Sequence, residues 1–389
     1  MNADYWIYED YFIFKPEFNG SLDNYIDIIS NCGKLIFSNY DDIEIYIKTN
    51  GKYDVNYNKN YTNSKFNQPV SGGVFDKLTQ LQELSFGSDF NQPVNGGALD
   101  KLTQLVVLNF GIKFNKPLSN SLDKLTQLQQ LTFDSYFNQP VGNALDKLTQ
   151  LKQLTFGSQF NQPVMLSHGG VSIFDNLIQL KQLTFGESFN QPFDGGALDK
   201  LTQLEQLTFG RNFNQPVMLS HGGVSIFDNL TSLKQLTFGY YFDQPVSGVF
   251  DKLTQLQQLT FGRNFNQPVG GALQKLTQLQ QLTLGWSFAQ PLDLTSNIKV
   301  LKLNCNNTYI INNLPNGVEE LYLGFSCNLE LNDLPNSIKI IFFDYNSKYD
   351  KELNNLPKSL EKLYLPWKYV REIKNINPSC QIIYPSNKN

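Results

Sequence analysis

Beyond its carboxylates, hydroxyls and amines, this chain has few side chains that could hold a metal or serve as a base near neutral pH or a thiolate nucleophile. They are two histidines, His168 and His221, and four cysteines, Cys32, Cys305, Cys327 and Cys380. A Ser–His–Asp or Cys–His centre needs an imidazole held beside its nucleophile. Here both histidines sit in copies of one loop: FNQPVMLSHGGVSIFDNL occupies 160–177 and recurs unchanged at 213–230. A metal shared by the two would need further Cys or carboxylate ligands around them. The histidines stand two repeats apart, roughly 10 Å at the usual strand spacing. The cysteines form no C-x-x-C pair, so there is no zinc signature. No G-x-S-x-G, phosphate-binding glycine loop or H-E-x-x-H occurs. No catalytic residue, no metal and no cofactor is expected, and the duplicated loops read as exposed bulges, with a binding role for the pair as the alternative.

What must position any functional residue is a repeat. Phe-Asn-Gln-Pro, or a near copy of it, begins at Phe66, Phe90, Phe114, Phe137, Phe160, Phe189, Phe213, Phe242, Phe265 and Phe288, at intervals of 23, 24 or 29 residues. A period of this size means a solenoid, in which each coil buries its apolar face only against its neighbours. The repeat therefore overrides the two or three domains that 389 residues would otherwise suggest. With 41% hydrophobic and 17% charged residues the chain is globular. A net charge of −4 argues against a nucleic-acid or anionic-membrane partner. The opening Met-Asn-Ala-Asp-Tyr-Trp lacks the basic-then-apolar order of a secretory signal, and no stretch is apolar enough to span a bilayer. Few cysteines in a long chain fit a reducing compartment, so an intracellular protein is expected.

One repeat, 66–89, gives the layout. Leu84-Ser85-Phe86 alternates with the period of a short half-buried strand, Leu84 and Phe86 inward, Glu83 and Ser85 outward. Asp76-Lys77-Leu78-Thr79-Gln80-Leu81 has apolar residues three apart, which suits a single helical or 3₁₀ turn on the opposite, convex side. Pro69 cannot donate to a ladder and belongs in the connection. The Phe residues are expected to stack as an internal spine, and Asn67 and its equivalents to hydrogen-bond backbone at the strand exit.

The L-x-x-L-x-F core of Leu81, Leu84 and Phe86, in phase with FN-x-P, resembles the FNIP repeat. This is a branch of the leucine-rich-repeat class known mainly from social amoebae and giant amoebal viruses. The resemblance implies a viral or amoebal origin, and a location in the host cytoplasm if viral. It also implies a fold: an α/β repeat, a leucine-rich-repeat solenoid with a curved parallel sheet and a short helical or irregular convex side. Degenerate coils begin near Phe12-Ile13-Phe14 and Leu35-Ile36-Phe37. Beyond Phe288 the period shortens, with strands at Leu301–Leu303, Leu321–Leu323, Ile341–Phe343 and Leu363–Leu365 preceded by Leu-Pro at 314, 334 and 356. About sixteen coils result. The chain divides into degenerate repeats and cap (1–62), FNIP-type repeats (63–292), and shorter LP-type repeats with a C-terminal cap (293–389). Tyr5, Trp6, Tyr8 and Tyr11 at one end, and Trp367 and Tyr369 at the other, are candidates to cover the open ends.

The repeats also point to a surface. The outward strand positions are monotonous: Gln130, Gln153, Gln182, Gln206, Gln235, Gln258 and Gln281, with Thr132, Thr155, Thr184, Thr208, Thr237, Thr260 and Thr283 beside them. Such rows read as polar ladders on a solvated face. Just past the strand the copies diverge, and several have acquired Tyr, Trp or Arg, the types that anchor interfaces. The candidate partner-binding rim is Ile112, Tyr136, Arg211, Tyr240, Tyr241, Arg263 and Trp286. The chain therefore reads as a non-enzymatic protein–protein interaction scaffold using its concave face and this rim. It is expected to be a monomer with an unidentified protein partner, a host protein if the chain is viral, and with no nucleic acid and no membrane. Two alternatives are a structural or virion component and, because some FNIP-repeat proteins carry an F-box, a substrate-recognition subunit of a host ubiquitin ligase. The strand-rich N-terminus shows no F-box, and Cys380 lies in a segment too short for a ligase domain.

Overall fold

Three-residue stretches such as Glu83–Ser85 carry one apolar side chain between two polar ones, so each buries its middle residue and turns the flanking pair outward. One such strand has no stability alone; stacked on its neighbours it completes a ladder and a core. The computed structural model describes residues 4–70, 73–166, 170–193, 196–218 and 223–385. It contains two compact units, Met1–Leu204 and Glu205–Asn389, a division that does not coincide with the shortening of the period past Phe288.

The first unit holds β1 (Tyr5–Tyr8), β2 (Tyr11–Phe14), β3 (Lys34–Phe37), β4 (Glu83–Ser85), β5 (Val107–Asn109), β6 (Gln130–Thr132), β7 (Gln153–Thr155) and β8 (Gln182–Thr184). From β2 to β8 each strand pairs in parallel with the next, aligning Leu35, Leu84, Leu108, Leu131, Leu154 and Leu183 in one buried column. The second unit holds β9 (Gln206–Thr208), β10 (Gln235–Thr237), β11 (Gln258–Thr260), β12 (Gln281–Leu284), β13 (Val300–Leu303), β14 (Glu320–Leu323), β15 (Ile340–Phe343), β16 (Leu353–Asn354), β17 (Lys362–Tyr364), β18 (Ile373–Lys374) and β19 (Gln381–Ile383). Here β9 to β15, then β17 and β19, form the parallel ladder, while β16 and β18 pair separately. Among the described residues this gives seven solenoid strands in one unit and nine in the other, the sixteen coils that the repeat count implies.

The connections are tight turns. The Leu78 N–H donates to Phe75 O at 2.9 Å and the Leu81 N–H to Leu78 O at 3.0 Å, and the same i→i+3 pattern recurs in later coils. This is the expected turn chemistry; at Gly270–Leu273 it lengthens into a 3₁₀ helix. The Phe spine is double. In the first unit Phe66, Phe90, Phe114, Phe137 and Phe160 stack at 6.0–6.1 Å between centroids, with planes 4–7° apart. In each of these coils the strand-end Phe, such as Phe86 or Phe110, lies on this column at 3.8–4.1 Å. Offset stacking of this kind adds to the burial of the rings.

The Asn ladder is present and has a second member. Asn138 Oδ1 accepts from the Asn161 N–H at 2.9 Å and from Gln162 Nε2 at 3.0 Å, so both polar residues of each FNQP copy read the coil before it. In the second unit Asp243 fills the Asn position and still accepts from the Asn266 N–H and Gln267 Nε2. Asn138→Ala strands that amide, and a loss of about 1–3 kcal/mol is expected. Asn138→Asp, which keeps the acceptor, should lose less; urea unfolding of the two variants tests the order.

Three features depart from the regular pattern. Residues 38–82 form one long coil: β3 pairs directly with β4, and Phe18 stacks on Phe66 at 5.9 Å across the insertion. The excess chain carries short helical segments at Ile43–Thr49 and Val55–Asn60 around Tyr40, which is fully buried. At the N-terminal end β1 runs antiparallel to β2 and covers its edge, with Trp6 and Tyr11 packed on Ile13, Ile36 and Tyr40. At the other end Tyr369 is buried but Trp367 is exposed, and β19 adds a strand beyond the expected last one.

Candidate functional site

The strand-exit rim is built by two backbone rules. First, a glycine follows most strands because the coils approach too closely for a side chain: a Cβ on Gly262 would overlap the Gly239 carbonyl, and one on Gly285 the Gly262 carbonyl. Second, the two residues after it are pinned to the neighbouring coil. The Tyr241 N–H donates to Arg211 O, the Asn264 N–H to Tyr240 O and the Ser287 N–H to Arg263 O, all at 2.9 Å. Arg211, Tyr240, Arg263 and Trp286 therefore occupy one register position on four successive coils of the second unit.

Their side chains interleave. The Arg211 guanidinium carbon lies 4.8 Å from the Tyr240 ring centroid and 5.7 Å from that of Tyr241. The Arg263 guanidinium lies 5.3 Å from Tyr240 on one side and 3.9 Å from Trp286 on the other. Tyr240 and Tyr241 meet edge to face at 4.8 Å. Trp286 is 47% and Tyr241 41% exposed. Among the described residues neither guanidinium has a carboxylate within ion-pairing distance, whereas Lys234, Lys275, Lys299 and Lys339 all do. Five of the seven sequence-predicted rim residues thus form one contiguous cation–π array.

Ile112 and Tyr136 lie in the first unit. Tyr136 is exposed and its N–H donates to Ile112 O at 2.9 Å, while Ile112 is half-buried. The rim charge beside them is neutralised, since Lys113 Nζ pairs with Asp89 Oδ1 at 2.9 Å. No ring contact joins Tyr136 to another aromatic among the described residues.

The outward sheet face carries a second row that the Gln- and Thr-bearing coils do not foreshadow. In register with Thr283 come Lys302, Tyr322, Phe342 and Tyr364. The rings stand 5.5 Å and 5.3 Å apart, and Lys302 Nζ lies 5.3 Å from the Tyr322 centroid. Their signal lies in Leu321-Tyr322-Leu323, Ile341-Phe342-Phe343 and Leu363-Tyr364-Leu365, where an aromatic ring takes the outward place that Thr holds in earlier coils. The Gln and Thr rows themselves are mostly half-buried between neighbouring strands. Among the described residues the hydrogen bond along such a row is Asn109 Nδ2 to Ser85 Oγ, 2.8 Å.

The groups that opened the chemical question are placed unfavourably for it. Burial pushes the Cys305 thiol up to about 12 and those of Cys327 and Cys32 to about 11, so all three stay protonated at neutral pH. Burial raises Cys380 as well. His168 and His221 lie outside the described residues. Among the described residues no group of three or more His, Cys, Asp or Glu is arranged to hold a metal ion, and no helix is long and apolar enough to cross a membrane.

The family described as FNIP Repeat matches residues 288–326 and 325–367. No curated protein matches the chain. Among solved structures, an internalin (InlF) from Listeria monocytogenes aligns at 18% identity with a TM-score of 0.53, covering 81% of this chain and 83% of that one. The Toll–Spatzle complex of Drosophila aligns at 14% identity with a TM-score of 0.56, covering 92% of this chain and 46% of that one. CroV588, a circular leucine-rich-repeat protein, aligns at 22% identity over 98% of this chain and 77% of its own, with a TM-score of only 0.43. At such identities the likeness establishes the fold and nothing about partners. Coil by coil the chain is a leucine-rich-repeat solenoid, and its residues 288–367 match the FNIP Repeat family.

Proposed function

We propose that this protein is a non-enzymatic protein–protein interaction scaffold, and that its contact surface is the strand-exit rim of the second unit. Arg211, Tyr240, Tyr241, Arg263 and Trp286 serve as its anchors. The observation that carries this reading is the interleaved array itself. The repeats are otherwise near-copies, yet along the rim they present aromatic rings, Tyr241 and Trp286 exposed, and two guanidiniums without a carboxylate partner among the described residues. Such residues, rigidly presented, are the usual source of binding energy at an interface. Ile112 and Tyr136 form a separate, smaller patch on the first unit. The fold class supports the reading, since leucine-rich-repeat solenoids commonly present extended surfaces to protein partners. The partner is a protein, taken from the host if the chain is viral. The scaffold acts as a monomer inside the cell.

The test is affinity capture followed by quantitative binding to the protein captured. Tyr240→Ala, Tyr241→Ala and Trp286→Ala together should weaken that complex by roughly a hundredfold or more. Tyr322→Ala with Tyr364→Ala serves as the comparison on the sheet face. An unchanged affinity in the triple variant refutes the rim.

A further inference from the structure

We infer that the ligand recognised by this rim is an acidic peptide segment, bound in extended form across the coils with carboxylates on Arg211 and Arg263. The inference rests on the rim reading and goes further by naming the chemistry of the partner.

Three observations carry it. The first is the availability of the guanidiniums. A guanidinium lying on an aromatic ring keeps its N–H donors in its own plane, directed away from the ring face. Arg263 is held between Tyr240 and Trp286, and Arg211 rests on Tyr240 and Tyr241. Stacking therefore fixes both forks while leaving their hydrogen-bonding edges to solvent. No hydrogen bond or ion pair to a described residue uses those edges. A pre-oriented fork of this kind suits bidentate capture of a carboxylate.

The second is the local charge. From strand to rim, these four coils contain two carboxylates, Glu205 and Asp243. Glu205 Oε2 is paired with Lys234 Nζ at 2.7 Å. Asp243 Oδ1 accepts from the Asn266 N–H at 2.9 Å and Gln267 Nε2 at 3.0 Å. The face is thus locally cationic on a chain whose net charge is −4.

The third is the spacing. Arg211 and Arg263 stand two coils apart, about 10–12 Å at the separation of stacked strands and rings. In an extended chain rising about 3.1–3.4 Å per residue, carboxylates three or four residues apart span that distance. A guanidinium already engages each of Tyr240, Tyr241 and Trp286, which leaves less platform for nucleobases to stack on. This favours a peptide over a single-stranded nucleic acid.

The experiment is fluorescence anisotropy on the full chain. The probe is a labelled peptide with Glu at every third position in a Pro/Ser background; its Gln counterpart and a labelled oligouridylate are the controls. The Glu peptide should bind at least about tenfold more tightly than the Gln peptide, and added salt should weaken it. Arg211→Gln with Arg263→Gln should abolish the difference. Arg211→Lys with Arg263→Lys, which keeps the charge but loses the fork, should retain only part of it. Both pairs are exposed, and unchanged thermal melting confirms their fold. Equal binding of the Glu and Gln peptides, indifference to the Arg variants, or preference for the oligonucleotide would overturn the inference. If the aromatic triple variant loses a captured partner while no acidic peptide binds the wild type, the rim stands and the acidic ligand falls. If peptide binding depends on the two arginines while partner capture ignores the aromatic variant, the ligand stands and the partner-capture reading falls.

Discussion

Phe265→Ala is expected to lower the stability of the second unit by about 3–5 kcal/mol, the range for deleting a fully buried ring. Phe265 is completely buried. It stacks on Phe242 at 6.0 Å, on Phe288 at 5.9 Å, and within its own coil on Phe261 at 3.9 Å. Removing it therefore leaves a cavity and also cuts two inter-coil contacts. In a solenoid those contacts are the coupling that makes neighbouring coils unfold together. The variant should accordingly show a broader urea transition as well as a lower midpoint. Hydrogen exchange should be fastest in the coils flanking residue 265. Phe265→Leu, which refills part of the space, should fall between the two proteins. A change below about 1 kcal/mol in the alanine variant would mean that the spine is not what couples the coils.

The second large effect is expected at Gly262. A Cβ there overlaps the carbonyl oxygen of Gly239, so the obstacle is backbone and no rotamer change can relieve it. Gly262→Val should cost roughly 3 kcal/mol or more, because the coils must separate and stretch the ladder on both sides. The same column nevertheless holds Asp134, Asn304 and Asp344. Two of these fold back onto their own backbone: Asp134 Oδ1 accepts from the Ser135 N–H at 2.6 Å, and Asp344 Oδ1 from the Asn346 N–H at 2.9 Å. Short side chains that cap a following amide tolerate turn conformations that β-branched ones do not. Gly262→Asp carries the same Cβ and should also be destabilising, but less so than the β-branched Gly262→Val. Gly271→Ala should be nearly neutral, since its Cβ would meet only the end of Gln274. Thermal melts of the three variants give the rank order, and Val and Asp costing the same would refute the capping explanation.

Much of this architecture can be read from the residues because solenoid order is local. Whether Leu84 points in and Ser85 out follows from the pleat. That Phe90 meets Phe66 follows from a constant period. Both hold wherever one coil copies the last, and the spine and the Asn ladder came through on that basis; the count of about sixteen coils holds because one strand lost is offset by one gained. The reading stops where the copies stop. The Tyr40 insertion between β3 and β4 keeps the FNQP phase and loses a strand. The extra strand β19 lacks the Leu-Pro that marks its predecessors, as Asn377-Pro378 shows.

The amino-acid sequence by itself determined the coil, its inward and outward faces, and the positions at which near-identical repeats were free to differ. Those properties depend on side-chain alternation and on spacing along one chain. Only the tertiary structure decided which of the divergent residues meet. Arg263 lies between Tyr240 and Trp286 because three backbone hydrogen bonds fix the offset between coils. The 29-residue coil that begins at Phe160 holds the same register because the ends of its insertion meet: the Leu166 N–H donates to Val171 O at 2.8 Å, and Phe160 still stacks on Phe189 at 6.1 Å. Contact between coils depends on how each loop spends its length in space, and no count of residues along the chain contains that.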